Sequence, residues 1–123
     1  MKYKIMAPVC SALLLLLVVR NSAGAHAFAD HSKPKVGQQL ETAPTVVAIW
    51  FDDDIKADQS VIEVFDKDGY QVDKKDSHGD SKDTTLLIVS LSKISTGTYK
   101  VVWKATCLQD HKTSGQFKFT VKR

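Results

Sequence analysis

The sequence of 123 residues predicts an all-β protein, a single antiparallel β-sandwich of Greek-key type with about seven strands. Short apolar segments follow one another after residue 25 and are separated by turn residues at roughly even spacing. The same part of the chain has no stretch with the periodicity of an amphipathic helix. It also has no internal repeat and no linker-like composition, which indicates one domain.

The run at residues 45–51 consists of β-branched and aromatic residues on both faces. Such a run is typical of a central strand that is buried on both sides, and Trp50 is therefore predicted to lie in the core. The aspartates at 52–54 end the strand. The polar segment 26–39, which a proline and a glycine punctuate, predicts a short edge strand followed by a turn.

Further strands are predicted at residues 61–65 and 86–89. An Asp-Gly pair at residues 68–69 predicts a hairpin turn into residues 71–72, because glycine adopts positive φ freely. Residues 73–83 contain no apolar side chain and are predicted to form a solvated loop.

Two strands near the end of the chain alternate between apolar and polar residues, which predicts one packed and one solvated face. Trp103 belongs to the packed face of the first strand. Cys107 has the same parity and is predicted to be a small buried hydrophobe. A loop at residues 106–114 joins the two strands and carries Gln109, Asp110 and His111.

The first residues of the chain have the features of a secretory signal peptide. Two early lysines precede an apolar run at residues 11–19, and the small residues Ala23 and Ala25 form a cleavage pattern. The apolar character extends from Ile5 to Val19, which is shorter than the roughly 20 residues of a membrane span, so an uncleaved anchor is the less favoured alternative. We therefore expect a cleaved signal at residues 1–25 and a periplasmic domain at residues 26–123.

Cleavage at this point changes the charge of the protein. The chain has 17 basic and 14 acidic residues, and the signal removes Lys2, Lys4 and Arg20 but no acid. The exported domain is close to neutral and has no basic patch with interleaved aromatic residues, which excludes nucleic acid as the expected partner. Cys107 is the only cysteine after residue 25, so no internal disulfide can form.

The same cut would give His26 a free α-amine beside its imidazole, and these two nitrogens can chelate one metal ion. Nitrogen and oxygen donors in a tetragonal set suit Cu(II), which also stands at the top of the divalent affinity order. His111 is the natural third nitrogen donor, with Asp110 beside it. His31 and His78 are predicted to be surface residues, although the position of His31 near His26 leaves an accessory role at the metal open.

Residues spread over the whole exported part of the chain carry a family resemblance. They are His26, Ser32, Pro34, Gly37, Leu40, Ala43, Pro44 and Phe51 in the first half, and Gly97, Tyr99, Val101, Trp103, His111, Gly115, Phe117, Phe119 and Val121 in the second. In this pattern the chain resembles the CopC family of periplasmic copper-binding proteins. The resemblance implies a cupredoxin-like or immunoglobulin-like β-barrel that binds one Cu(II) through the amine and ring of His26, the ring of His111 and the carboxylate of Asp53.

The sequence departs from the family pattern in two ways. The family usually has an aspartate two residues before the loop histidine, whereas here that residue is Gln109 and the acid is Asp110. Because neighbours on an extended backbone point to opposite sides, the fourth ligand is open between Asp53, Asp110, Gln109 and water. No methionine follows residue 25, so the methionine-rich Cu(I) site of some relatives is expected to be missing.

The leading hypothesis is a non-enzymatic Cu(II)-binding protein for copper sequestration, transport or resistance. It would be a monomer that meets an inner-membrane copper transporter or another copper protein. A small copper oxygenase with a histidine-brace site is the alternative, because lytic polysaccharide monooxygenases also use an N-terminal histidine and a second histidine. A metal-free exported interaction domain is the third hypothesis.

Overall fold

The computed structural model describes residues 27–123, which form two facing β-sheets of four strands each. The eight strands in chain order are β1 (Ala29–Lys33), β2 (Gln39–Leu40), β3 (Val46–Phe51), β4 (Val61–Phe65), β5 (His78–Gly79), β6 (Leu86–Ser90), β7 (Gly97–Thr106) and β8 (Lys112–Val121). The first sheet has the order β1-β3-β6-β5 and the second has the order β2-β8-β7-β4. The predicted all-β sandwich is confirmed, with eight strands in the described residues instead of about seven.

One strand pair departs from the predicted antiparallel arrangement. The two-residue strand β2 runs parallel to the end of β8, with Gln39 opposite Thr120 and Leu40 opposite Val121. The turn after β1 brings the chain to this edge, where the amide of Gly37 donates to the carbonyl of Lys118. Every other ladder between the described strands is antiparallel.

The core lies between the two sheets and contains the inward side chains of both. Trp103 packs edge-on against Phe51, with ring centroids 5.2 Å apart. Gly115 on β8 faces the same indole, and a β-carbon there would lie 2.6 Å from Trp103 Cζ2, so only glycine fits. Cys107 is 1% exposed, which confirms the prediction that it is buried.

The outer face of β3 differs from the prediction. Val47, Ile49 and Phe51 point into the core, but Val46 on the other face is 41% exposed. Trp50 is only half-buried and stacks on His31 of β1, with ring centroids 4.6 Å apart. Ala48 on this face is buried, but among residues 27–123 no third layer covers Val46 and Trp50. The prediction of a strand buried on both sides, with Trp50 in the core, is therefore wrong for these two residues.

The prediction that residues 73–83 form a solvated loop is also wrong in part, because this segment contains strand β5 and the buried residue Asp73. Asp73 is 6% exposed, and its carboxylate accepts hydrogen bonds from the amides of Val64 and Lys75 at 2.8 and 2.9 Å. Ser77 Oγ accepts a hydrogen bond from the Ile62 amide at 2.9 Å. These polar side chains occupy the hydrogen-bonding groups at the free edge of β4, where a neighbouring strand would otherwise pair.

Candidate metal centre

Three segments meet at one end of the sandwich: residues 27–28, where the described chain joins the fold, residues 52–56 after β3, and the turn at residues 107–111. An isolated antiparallel bridge pairs Ile55 with Cys107 and brings the second and third segments together. The backbone amide of Lys56 extends this contact by donating to the carbonyl of Thr106 at 2.8 Å.

Residues 27–28 are anchored on both sides. Ala27 is 1% exposed, and its carbonyl accepts a hydrogen bond from Thr113 Oγ1 of β8 at 2.6 Å. The amide of Phe28 donates to Asp52 Oδ1 at 2.8 Å, and the amide of Asp52 donates back to the carbonyl of Phe28 at 2.9 Å. The chain is therefore fixed between β8 and the end of β3. The predicted ligand His26 and the predicted signal peptide lie outside the described residues.

The turn that carries His111 is tighter than the predicted loop at residues 106–114. β7 and β8 stay paired up to Thr106 and Lys112, and the amide of Cys107 donates to the carbonyl of His111 at 2.9 Å. The three loop residues are therefore 108–110. Asp110 adopts a left-handed φ of 67°, as the last residue of a three-residue hairpin loop commonly does. His111 is exposed and directly precedes β8, which is paired with β7 along its whole length.

Asp110, one of the predicted oxygen ligands, forms an ion pair with Lys56. Lys56 Nζ lies 2.5 Å from Asp110 Oδ1. The hydrogen bond and the charge of Lys56 hold the pKa of the Asp110 carboxyl below its ordinary value, and the same bond raises the pKa of Lys56. The sequence contained no signal for this pair, because the two residues are 54 positions apart.

The three aspartates after β3 have different partners. Asp52 holds Phe28, and Asp54 Oδ1 accepts a hydrogen bond from Thr84 Oγ1 at 2.5 Å. Asp53 is exposed, and the hydrogen bond recorded for its side chain within residues 27–123 comes from the adjacent amide of Asp54 at 2.8 Å. Asp53 is therefore the member of the three whose carboxylate is not used to join two segments of the described chain.

The remaining histidines lie at the surface, as predicted. His31 Nδ1 shares a hydrogen bond with Asp30 Oδ2 at 2.8 Å while its ring stacks on Trp50. His78 Nδ1 donates to the carbonyl of Asp76 at 2.8 Å. Within residues 27–123, no three side chains of histidine, cysteine, aspartate or glutamate come close enough to hold a metal ion. No helix in this part of the chain has the length and hydropathy that crossing a membrane requires.

The fold and these contacts define a class: a small two-sheet sandwich in which residues 27–28 are hydrogen-bonded beside a hairpin that carries a histidine. The model of the CopC domain family matches residues 29–122. Because this match spans most of the sequence, the chain belongs to the CopC domain family.

Two curated relatives illustrate the range of the family. Protein YobA of Escherichia coli strain K12 is 28% identical over 112 residues, a stretch that covers 90% of each chain. The copper transport protein CutJ of Bacillus subtilis is 28% identical over 116 residues, which cover 89% of this chain but 20% of CutJ. The sequence described here therefore corresponds to one fifth of that larger protein.

Solved structures share the fold. CopC from Methylosinus trichosporium OB3b superposes with a TM-score of 0.75 at 22% identity, covering 79% of this chain and 94% of that one. PcoC, a methionine-rich copper resistance protein from Escherichia coli, superposes with a TM-score of 0.70 at 23% identity, covering 80% of this chain and all of PcoC. These similarities support the two-sheet sandwich.

Proposed function

We propose that this protein is a periplasmic Cu(II)-binding protein that sequesters or transports copper, or confers resistance to it, without catalysing a reaction. One Cu(II) ion per chain would be held as cargo by the α-amine and ring of His26 and the ring of His111. Membership of the CopC family, together with relatives named for copper transport and copper resistance, supports copper as the metal.

The observation that carries the proposal is the anchoring of Ala27. Its carbonyl is bonded to Thr113, which lies two residues beyond His111, or about 7 Å along an extended chain. One peptide unit links residue 26 to Ala27, and the Cα atoms of two residues joined in this way are about 3.8 Å apart. An N-terminal amine at position 26 would therefore start from a position held beside the histidine hairpin, which reduces the entropy cost of assembling the site.

The chemistry of the donors fits Cu(II). An amine and two imidazoles supply three nitrogen donors of the kind that Cu(II) favours in a tetragonal arrangement. The amine must lose its proton before it binds, so the affinity should weaken as the pH falls below the usual amine pKa of about 7.7–8.0. Asp53 is the candidate for a fourth, oxygen donor, because its carboxylate makes no ion pair with a described residue.

The proposal is tested on the exported protein by intact mass spectrometry and by competition titration with a Cu(II) chelator. The expected mass begins at His26 and increases by one copper. Replacing an imidazole ligand should weaken binding by about a hundredfold, so His111→Ala is the informative variant. His78→Ala, which removes an exposed histidine from the short strand β5, should leave the affinity unchanged. Equal Cu(II) affinity in His111→Ala and the wild type would contradict the proposed site.

A further inference from the structure

Lys56 occupies an unusual place beside the candidate metal centre. Its backbone is fixed on both sides, because its amide donates to the carbonyl of Thr106 and its carbonyl accepts from the Gln59 amide and from Ser60 Oγ. Its side chain is 29% exposed, so most of the stem is packed against the protein. The ammonium group reaches across to Asp110, the residue directly before His111.

The turn does not need this ion pair for its backbone conformation. The amide of Asp110 already donates to the carbonyl of Cys107 at 2.9 Å, and β7 and β8 pair over ten positions. An ion pair with an exposed carboxylate contributes little to stability, because water screens the attraction between the two charges. What the pair determines is the direction of the Asp110 carboxylate.

We infer that Lys56 is a positioning residue that holds the Asp110 carboxylate at the turn and so withholds it from the copper ion. The inference rests on the proposed function, because it concerns copper bound by His26 and His111. Asp110 is the acid nearest to His111 in the sequence, and a free carboxylate there would add a negatively charged oxygen donor of a kind that Cu(II) accepts. With Lys56 in place, that donor is engaged and its charge is neutralised.

The surrounding charges support this assignment. Asp53, in contrast to Asp110, makes no ion pair with a described residue and remains the available carboxylate. Asp110 forms its ion pair with Lys56, whose Nζ lies 2.5 Å from Asp110 Oδ1. The contact geometry therefore assigns this carboxylate to Lys56.

The test is a double-mutant cycle on the full exported protein loaded with one equivalent of Cu(II). The variants are Lys56→Met, Asp110→Asn and the two combined, and asparagine is chosen because it tolerates a left-handed φ. The readouts are the Cu(II) electron paramagnetic resonance spectrum and the Cu(II) affinity, with urea unfolding to check that each variant is folded. Lys56→Arg, which keeps a cation at this position, is the matched control.

We expect Asp110→Asn to leave both the spectrum and the affinity of the wild type unchanged. Lys56→Met should change the spectrum and strengthen binding by roughly tenfold, the equivalent of one added charged donor. Asp110→Asn in the Lys56→Met background should restore the wild-type spectrum, and Lys56→Arg should resemble the wild type.

Two results overturn the inference alone. A changed spectrum in the single Asp110→Asn variant would mean that Asp110 already binds the copper. An unchanged spectrum in Lys56→Met would mean that nothing is withheld. A wild-type protein that does not bind Cu(II), or a His111→Ala variant that binds it normally, would instead contradict the proposed function and remove the inference with it.

Discussion

The aspartates of residues 66–76 and those of residues 52–54 lie in two acidic segments that each follow a strand, but their side chains make different contacts. In the first region, Asp66 accepts hydrogen bonds from the amides of Asp68 and Tyr70, both at 2.9 Å. Asp73 accepts from the amides of β4 and its own loop, and Asp76 accepts from the amide of Ser90 at 2.8 Å. These carboxylates hold loops and strand edges in place.

In the second region, residues 52–54, the carboxylates accept fewer hydrogen bonds. Asp52 holds Phe28 and Asp54 is bonded to Thr84, but Asp53 has only its neighbour's amide as a recorded partner within the described chain. A carboxylate that already accepts several backbone hydrogen bonds has few lone pairs left for a metal. The number of hydrogen bonds that a carboxylate already accepts therefore distinguishes a structural aspartate from a candidate metal ligand. The number of acidic residues nearby in the sequence does not.

The largest effect on stability is expected at Asp73. Asp73→Ala would leave the Val64 amide buried without an acceptor, which costs about 1–3 kcal/mol in the free energy of unfolding. Urea unfolding measures this loss, and the Cu(II) affinity should not change. Asp68→Ala is the control, because this exposed aspartate interacts with Lys67 at a distance of 3.6 Å. Equal free energies of unfolding for Asp73→Ala and Asp68→Ala would contradict the structural role of Asp73.

The reverse pattern is expected at Asp53. Asp53→Ala should weaken Cu(II) binding by about tenfold while the free energy of unfolding stays within about 0.5 kcal/mol of the wild type. Glu41→Ala is the matched control, since it removes the same charge from the exposed residue after β2, at the opposite end of β8 from His111. A Cu(II) affinity that is equal in the two variants would show that Asp53 is not a ligand.

The smallest effect concerns acid stability. Hydrogen bonds from the Ser90 amide lower the pKa of Asp76, and those from the Thr85 hydroxyl and amide lower the pKa of Asp83. A carboxyl with a folded-state pKa below its unfolded-state pKa stabilises the protein above the unfolded value and loses that contribution as the pH falls. Stability should therefore decrease on acidification below about pH 4. Asp76→Asn should flatten this decrease in urea unfolding, and an unchanged pH profile would contradict the assignment.

Sequence reasoning could predict the parts of the fold that depend on local pattern. The alternation along β7 and β8 predicted which side chains face the core, including Trp103 and Cys107. It did not predict that Trp50 would lie half-buried against His31, because an apolar run does not reveal whether a further layer covers its second face. The buried position of Asp73 was missed for a similar reason, since a polar segment gives no sign that it closes the edge of another strand.

The candidate metal site, too, could be predicted only in part from the sequence. His111 and Asp53 could be chosen from residue type and family resemblance. The partners of the acids could not, because the contacts of Lys56 with Asp110 and of Thr113 with Ala27 join residues 54 and 86 positions apart. Such contacts depend on how the strands align with one another in the fold, and this alignment cannot be derived from the sequence pattern.

The most direct test of the central claim measures whether the α-amine of His26 belongs to the site. The Cu(II) affinity of the protein that begins at His26 is compared by competition titration with that of a protein carrying one additional residue before His26. Because the extension converts the amine into a peptide nitrogen, the account predicts a loss of about a hundredfold with unchanged stability. Equal affinity in the two proteins would contradict the claim that the first residue chelates copper.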